Sequence, residues 1–331
     1  MRKLHLEYNG GILLEYQEKR ILIDPHGKTV KNPDIVIVSH AHSDHSSGIW
    51  SPRLRSAYKI MSPATRKILE RRRGRKLTNV IELSEGEYLD IGSIRIHTET
   101  AGHCAGSLQF LISFKNLDVV YSGDFCLERR VILNACRPLK GDVLIMEATY
   151  GNPRYIFPPR TTLYTRFKSW LMEMFEKYQG VIVKCRSLGT AQEVTRLISE
   201  LKGAQIFAHA SIAEMNRVHE EYYNNLGEYY EFCGNLDYMS GILLVPLGAK
   251  MKIRNQSLVK SFVSGRFAIS GYRYSFPISS HADFVHLIKY ARESQATDVF
   301  TVYGYAEDLI TYLHDELGVS GHPIKRRKLM K

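Results

Sequence analysis

The chain has 331 residues, 44% of them hydrophobic, with 45 Lys and Arg against 34 Asp and Glu, a net charge of +11 and a pI near 9.3. That length and apolar content allow a full core in one large domain or two modest ones, and exclude a disordered or low-complexity chain. No run of about eighteen apolar residues is present, which argues against a membrane-spanning helix, and the basic excess favours a polyanionic partner, nucleic acid first.

The N-terminus, Met-Arg-Lys-Leu-His-Leu-Glu-Tyr, alternates like a strand and lacks a signal peptide's continuous apolar stretch, so a cytoplasmic location is expected. Short strands are predicted at 3–8, 12–16, 21–24, 35–39, 79–83, 93–98, 107–114, 118–122 and 142–147, interrupted by one helix at 63–73. After Tyr150 the pattern alternates: helix 162–178, strand 181–184, helix 190–201, strand 205–208, helix 212–225 and strand 241–246. Such alternation implies a parallel α/β layer. From about Ser261 the chain is read as returning to strands, followed by helix 282–293, strand 298–303 and helix 306–317. The expected organisation is a sandwich domain built from 1–150 and 261–331 with an α/β insertion at 151–260. Cys104, Cys126, Cys136, Cys185 and Cys233 form no C-x-x-C pair, so reduced, mostly buried thiols are expected.

Strand 35–39 runs directly into His40-Ala-His42-Ser-Asp44-His45, three imidazoles and a carboxylate within six residues. Histidine and aspartate are usually exposed or singly satisfied, whereas several convergent N and O donors suit Zn²⁺ or Mn²⁺. Asp24, His103 and Asp124 each fall at or just beyond the end of an apolar strand, where a closed metal site needs further donors. Singly, each has an ordinary alternative as a turn residue or a satisfied core histidine.

In this order, Asp24, His40-x-His42-x-Asp44-His45, His103 and Asp124 resemble the motifs of the metallo-β-lactamase superfamily. The resemblance implies an αββα sandwich in which His40, His42 and His103 hold one divalent metal, Asp44 and His45 a second, and Asp124 bridges them. Asp24 is then expected to orient ligands without binding metal. Two adjacent cations suit hydrolysis of an ester or phosphodiester. The chain further resembles the β-CASP nucleases in Leu144-Ile-Met-Glu147-Ala-Thr-Tyr-Gly151 and Ile278-Ser-Ser-His281-Ala-Asp283, which implies that the α/β insertion is a β-CASP cap domain. Segments 147–155, 187–192, 209–214 and 302–306 resemble the helicase- and ligase-associated DNA exonucleases of prokaryotes, relatives of Artemis. An archaeal branch with similar segments is linked to messenger-RNA 3′-end processing. RNA-cutting members carry a histidine ligand of the second metal where this chain has Tyr303. That departure tilts the expectation to DNA over RNA and to a weaker second metal, and the resemblance to helicase- and ligase-associated exonucleases implies a helicase or ligase as partner.

The resemblance assigns catalysis to Asp44, Glu147, His281 and Asp24, with His281, hydrogen-bonded to Glu147, protonating the leaving oxygen. Ser187, Gly189 and Thr190 lie at a helix start that suits a phosphate, with plain capping as the alternative; His209 after strand 205–208 has the same two readings. Arg71-Arg-Arg-Gly-Arg-Lys76 and Lys325-Arg-Arg-Lys328 are basic runs, and Tyr150, Tyr155, Tyr272 and Tyr274 are candidates to stack on a base. A small-molecule metallohydrolase and a non-catalytic nucleic-acid-binding relative are the rival classes.

Overall fold

The computed structural model describes residues 4–29, 31–236, 239–251, 256–265 and 273–325. Lys3 of the first predicted strand, Tyr272, and residues 326–328 of the C-terminal basic run lie outside them. The backbone divides into two compact units: Met1–Leu127, Ala135–Tyr155 and His281–Lys331 in the first, and Glu128–Asn134 with Ile156–Ser280 in the second.

The first unit opens with β1 (His5–Tyr8), β2 (Ile12–Tyr16), β3 (Lys19–Ile23), β4 (Ile35–Ile37), β5 (Tyr58–Met61) and β6 (Val80–Glu82), one sheet in that order. The hairpins β1–β2–β3 are antiparallel, and β3 to β6 are parallel. A short helix, α1 (Ser43–Ser46), follows β4, and α2 (Pro63–Arg73) follows β5. Helix α2 starts on Ser62, whose side chain accepts the Thr65 N–H, and stops at Gly74, which supplies a φ of 65°. A second sheet holds β7 (Tyr88–Ile91), β8 (Ile94–Thr100), β9 (Leu108–Phe114), β10 (Leu117–Tyr121) and β11 (Val143–Glu147).

The second unit runs α3 (Arg160–Lys177), β12 (Gly180–Cys185), α4 (Thr190–Ile198), β13 (Ile206–Ala208), α5 (Ala210–Tyr222), β14 (Tyr230–Glu231), β15 (Gly241–Pro246), β16 (Leu258–Val263) and β17 (Tyr274–Phe276). Its sheet is parallel, in the order β14-β13-β15-β12-β16-β17. Helices cover such a sheet, which is why β12 and β15 read as nearly unbroken apolar runs. The chain then completes the first unit with α6 (Phe284–Ser294), β18 (Asp298–Val302), which pairs with β11, and α7 (Ala306–Leu317).

Ile12, Ile21, Ile37 and Ile60 of the first sheet share a buried cluster with Ile96, Phe110, Val119 and Ile145 of the second. Leu287, Tyr290, Leu309 and Leu313 of α6 and α7 pack in a second cluster with Val120, Leu144 and Val299. Burial of side chains this size contributes roughly 1.5–3 kcal/mol each. No helix among the described residues is long and apolar enough to cross a membrane.

Two sequence expectations are corrected. Strands β16 and β17 pair within the parallel sheet, so the return to the first unit comes at His281 and not near Ser261; a parallel edge strand and a sandwich strand carry the same apolar pattern. Strand β5 was missed because Lys59 interrupts it. Lys59 is nevertheless buried, with Nζ donating to the carbonyls of Ala57 and Thr78, both at 3.0 Å.

Residues 128–134 enter the second unit, where Arg130 is fully buried against Glu193. Arg130 Nε and Nη2 donate to Glu193 Oε2 at 2.9 and 2.6 Å, while Arg160 Nη1 donates to Oε1 at 2.7 Å and Tyr164 donates to the same oxygen. Burial alone raises a carboxyl pKa; here the two guanidiniums outweigh it and hold Glu193 below its ordinary value. Removing one partner strands the others, so Glu193→Gln is expected to cost about 3–5 kcal/mol in unfolding free energy. Denaturant titration measures it, and a loss under about 1 kcal/mol, the scale of an exposed pair, contradicts the expectation.

Candidate metal centre and active site

The donors gather at the C-terminal ends of strands in both sheets of the first unit. After β3, Asp24 turns with φ 47°, in the left-handed region that Asp tolerates. Its buried carboxylate takes four donors: Oδ1 accepts the Ser39 N–H at 2.6 Å, and Oδ2 accepts Ser39 Oγ at 2.6 Å, His45 Nδ1 at 2.7 Å and Tyr121 Oη at 2.5 Å. This fixes the proton of His45 on Nδ1 and turns Nε2 to Asp124 Oδ2, 3.3 Å away. Ser39 Oγ, having donated to Asp24, is left to accept from His40 Nδ1 at 2.9 Å, which leaves His40 Nε2 as a bare lone pair.

His42 Nδ1 lies 3.0 Å from His40 Nε2 and 3.0 Å from His103 Nε2. One ring nitrogen carries at most one proton, so it satisfies only one of these contacts; a cation between the three satisfies all of them. A tetrahedral Zn²⁺ with its usual bond lengths sets such nitrogens about 3.3 Å apart. Asp124 Oδ2 is 3.5 Å from His40 Nε2 and 3.7 Å from His103 Nε2, and Asp124 Oδ1 is buried with no hydrogen-bond partner among the described residues. Donor atoms of His40, His42, His103 and Asp124 lie within 4.8 Å of one another, as do those of Asp124, Glu147 and His281. These residues fit a divalent cation.

Burial lowers a histidine pKa, but the carboxylates of Asp124 and Asp24 outweigh it and hold His45 well above its ordinary value. Burial likewise raises Asp124, and the imidazoles of His45, His281 and His40 more than reverse it. Gly123 makes the approach of Asp124 possible: its φ is 56°, and a Cβ there would stand 2.9 Å from the Ser39 side chain.

At the end of β11, Glu147 is buried; Oε1 accepts the Phe125 N–H at 2.7 Å and Oε2 the His281 Nδ1 at 2.9 Å. His281 Nδ1 is also 3.8 Å from Asp124 Oδ2. The Glu147–His281 pair therefore stands beside the metal donors, as its motifs lead one to expect. The Tyr303 ring packs on His45 with centroids 4.7 Å apart, on a backbone of φ 63°. Burial, then the charges of Asp24 and Asp124, hold its phenol well above the ordinary value, so it stays protonated at neutral pH.

Other expected residues sit elsewhere. Asp44 is exposed in the first turn of α1 and falls outside the convergent groups found among the described residues. Gly189 gives its N–H to Gln192 Oε1 at 2.7 Å and its carbonyl to Arg130, Thr190 is buried, and the Ser187 carbonyl accepts from Gln192. The Gly189 N–H that a phosphate would need is therefore engaged. His209 caps α5, accepting the Ser211 N–H at 3.2 Å. Arg72 donates to the carbonyl of Ala41 at 2.6 Å, so the 71–76 run braces the histidine loop. Sequence reading missed Ser39 and Tyr121; Ser39 adjoins the motif, whereas Tyr121 looks like any apolar strand residue.

A family model described as a beta-lactamase superfamily domain matches residues 13–181, just over half of the chain. The chain belongs to the metallo-β-lactamase superfamily. That superfamily comprises metal-dependent hydrolases. It is 28% identical over 84% of its length to 27% of a protein named probable DNA ligase from Opitutus terrae. It is 28% identical over 66% of its length to 61% of an RNase J-like protein from Methanocaldococcus jannaschii. It is 24% identical over 57% of its length to 33% of cleavage and polyadenylation specificity factor 73 from Drosophila melanogaster. The chain thus covers less than two thirds of each relative. A crystal structure of an Enterococcus faecalis protein of unknown function shares the fold, with TM-score 0.65 at 14% identity over 98% of this chain and 97% of that one.

Proposed function

We propose that the chain is a metal-dependent nuclease that hydrolyses phosphodiester bonds, acting as a DNA exonuclease in repair or processing. The observation that carries this reading is the Glu147–His281 pair at 2.9 Å beside the donors of His40, His42, His103 and Asp124. A thioester's thiolate leaving group needs no such acid, and the net charge of +11 suits a polyanion.

In this reading His40, His42, His103 and Asp124 would hold one divalent ion, Zn²⁺ or Mn²⁺, and His45, with Asp124 and Asp44, would hold a second. When bound, the ions lower the pKa of an attacking water and offset charge on the phosphate. Asp24 keeps the His45 proton on Nδ1. Glu147 accepts the Nδ1–H of His281, which favours the imidazolium and leaves Nε2–H to protonate the leaving oxygen.

DNA is favoured by Tyr303, a protonated phenol where a histidine is expected, and by the relative named as a DNA ligase; the same likeness makes a ligase or helicase the proposed partner. The relatives named as ribonucleases support RNA as the second reading. End-labelled single- and double-stranded DNA and RNA, incubated with Zn²⁺, Mn²⁺ or Mg²⁺, separate the two: DNA is expected to be cut faster, and faster cutting of RNA overturns the choice. Tyr303→His is expected to tighten the second ion and Tyr303→Phe to leave it unchanged, as read by metal titration, because a neutral phenol is a poor ligand. A marked loss in Tyr303→Phe contradicts this and makes the phenol a ligand.

A further inference from the structure

Four residues that the metal chemistry does not use, Tyr150, Arg154, Tyr155 and Tyr305, form a chain of ring contacts leading away from His281. The His281 ring meets Tyr150 edge-on at 5.9 Å, Tyr150 meets Tyr155 at 5.0 Å, and Tyr155 meets Tyr305 at 5.3 Å, all within the first unit. Tyr150 is buried, while Tyr155 and Tyr305 are half-buried and join through their hydroxyls at 2.9 Å. The guanidinium of Arg154 lies over both rings, 4.9 and 4.8 Å from their centroids, and donates to the Tyr305 hydroxyl.

Arg154 is exposed and makes no ion pair among the described residues. Of the carboxylates on the first turn of α7, Glu307 pairs with Lys325 at 2.6 Å, and Asp308 accepts from the Asn152 amide at 2.7 Å. A guanidinium lying over two tyrosine rings and making no ion pair among the described residues adds a positive charge to an aromatic surface. Nucleobases stack on arginine planes and tyrosine rings whatever their identity, and the positive charge draws the adjoining phosphate.

We propose that Arg154, Tyr155 and Tyr305 form a stacking subsite for one unpaired base of a single-stranded nucleic acid, close to the bond being cut. This rests on the nuclease reading above, since the subsite's place is defined by His281. Two ring-to-ring steps separate it from that histidine, so it takes a base near the scissile phosphate. A duplex end must fray to reach it, because a paired base has both faces covered.

The test is steady-state cleavage of a single-stranded oligonucleotide and of a set in which each nucleotide in turn is replaced by an abasic unit. One abasic position is expected to raise KM about 5- to 100-fold, the range for one stacked base. Tyr155→Ala is expected to raise KM by a similar factor on the intact strand and to add nothing on that abasic strand. Tyr305→Phe, which keeps the ring, is expected to change KM less than about twofold, and Arg154→Gln to flatten the slope of log KM against log salt by about 0.7, one phosphate contact on a single strand. Equal effects of Tyr155→Ala on intact and abasic strands, or cleavage indifferent to Tyr155 and Arg154, remove the subsite and leave the nuclease reading in place. If no strand is cut, fluorescence anisotropy of the same oligonucleotides decides. Binding that depends on Tyr155 and on one base keeps the subsite while the nuclease reading falls, and binding without that dependence removes both.

Discussion

Alanine at His42 or Asp124 is expected to strip the protein of bound divalent metal and reduce phosphodiester cleavage below detection. The loss should exceed the roughly 10- to 100-fold that follows from replacing a residue that only orients a ligand, such as Asp24. Both residues close on the same imidazoles: His42 Nδ1 lies 3.0 Å from His40 Nε2 and His103 Nε2, and Asp124 Oδ2 lies 3.5 and 3.7 Å from the same two nitrogens. Elemental analysis of the purified variants checks it; full metal content with lost activity sinks the assignment. The same site predicts a pH dependence. Asp124 and Asp24 hold His45 well above its ordinary pKa in the metal-free protein, so an ion binding there must displace a proton. Affinity should therefore rise with pH up to that elevated pKa, by about tenfold per unit for one proton released. Metal titrations across the neutral range that show a flat affinity contradict this.

Glu147→Gln and His281→Ala are expected to lower kcat by about 10²–10⁴-fold while leaving metal content and substrate affinity nearly intact, the signature of a lost general acid. Glu147 cannot be replaced by a neutral amide without consequence, because its two oxygens hold both the Phe125 N–H and the His281 ring. The pH–rate profile distinguishes an acid from a scaffold: His281→Ala should lose the alkaline limb that reports deprotonation of the imidazolium. Loss of metal in either variant would move these residues into the ligand set, which their proximity to Asp124 allows.

The two-unit organisation was legible in the sequence because alternating and apolar-run patterns report which faces of a strand are covered. The return point was misplaced by about twenty residues, since periodicity does not say which sheet a strand joins. Buried lysine in β5 shows the same limit: Lys59 breaks the apolar pattern, and the carbonyls of Arg55, Ala57 and Thr78 make it tolerable inside. Tyr150, Tyr155 and Tyr274 were equivalent as candidates for stacking. The fold buries the first, leaves a face of the second beside Arg154, and packs the third against Trp170 at 5.1 Å.

By itself the sequence singled out His40, His42, His45, His103 and Asp124 as candidate donors, because three imidazoles in a six-residue loop at a strand end have few other uses, and it offered Glu147 and His281 through the resemblance of their motifs. Only the tertiary structure decided which of the expected residues converge. It left Asp44 exposed, occupied the Gly189 amide with Gln192, and brought Ser39 and His45 of one loop and Tyr121 of a distant strand onto the single carboxylate of Asp24. The physical reason is that strand patterns report direction and burial along one chain, whereas a hydrogen-bond donor is used up by whichever acceptor the fold carries to within about 3 Å of it.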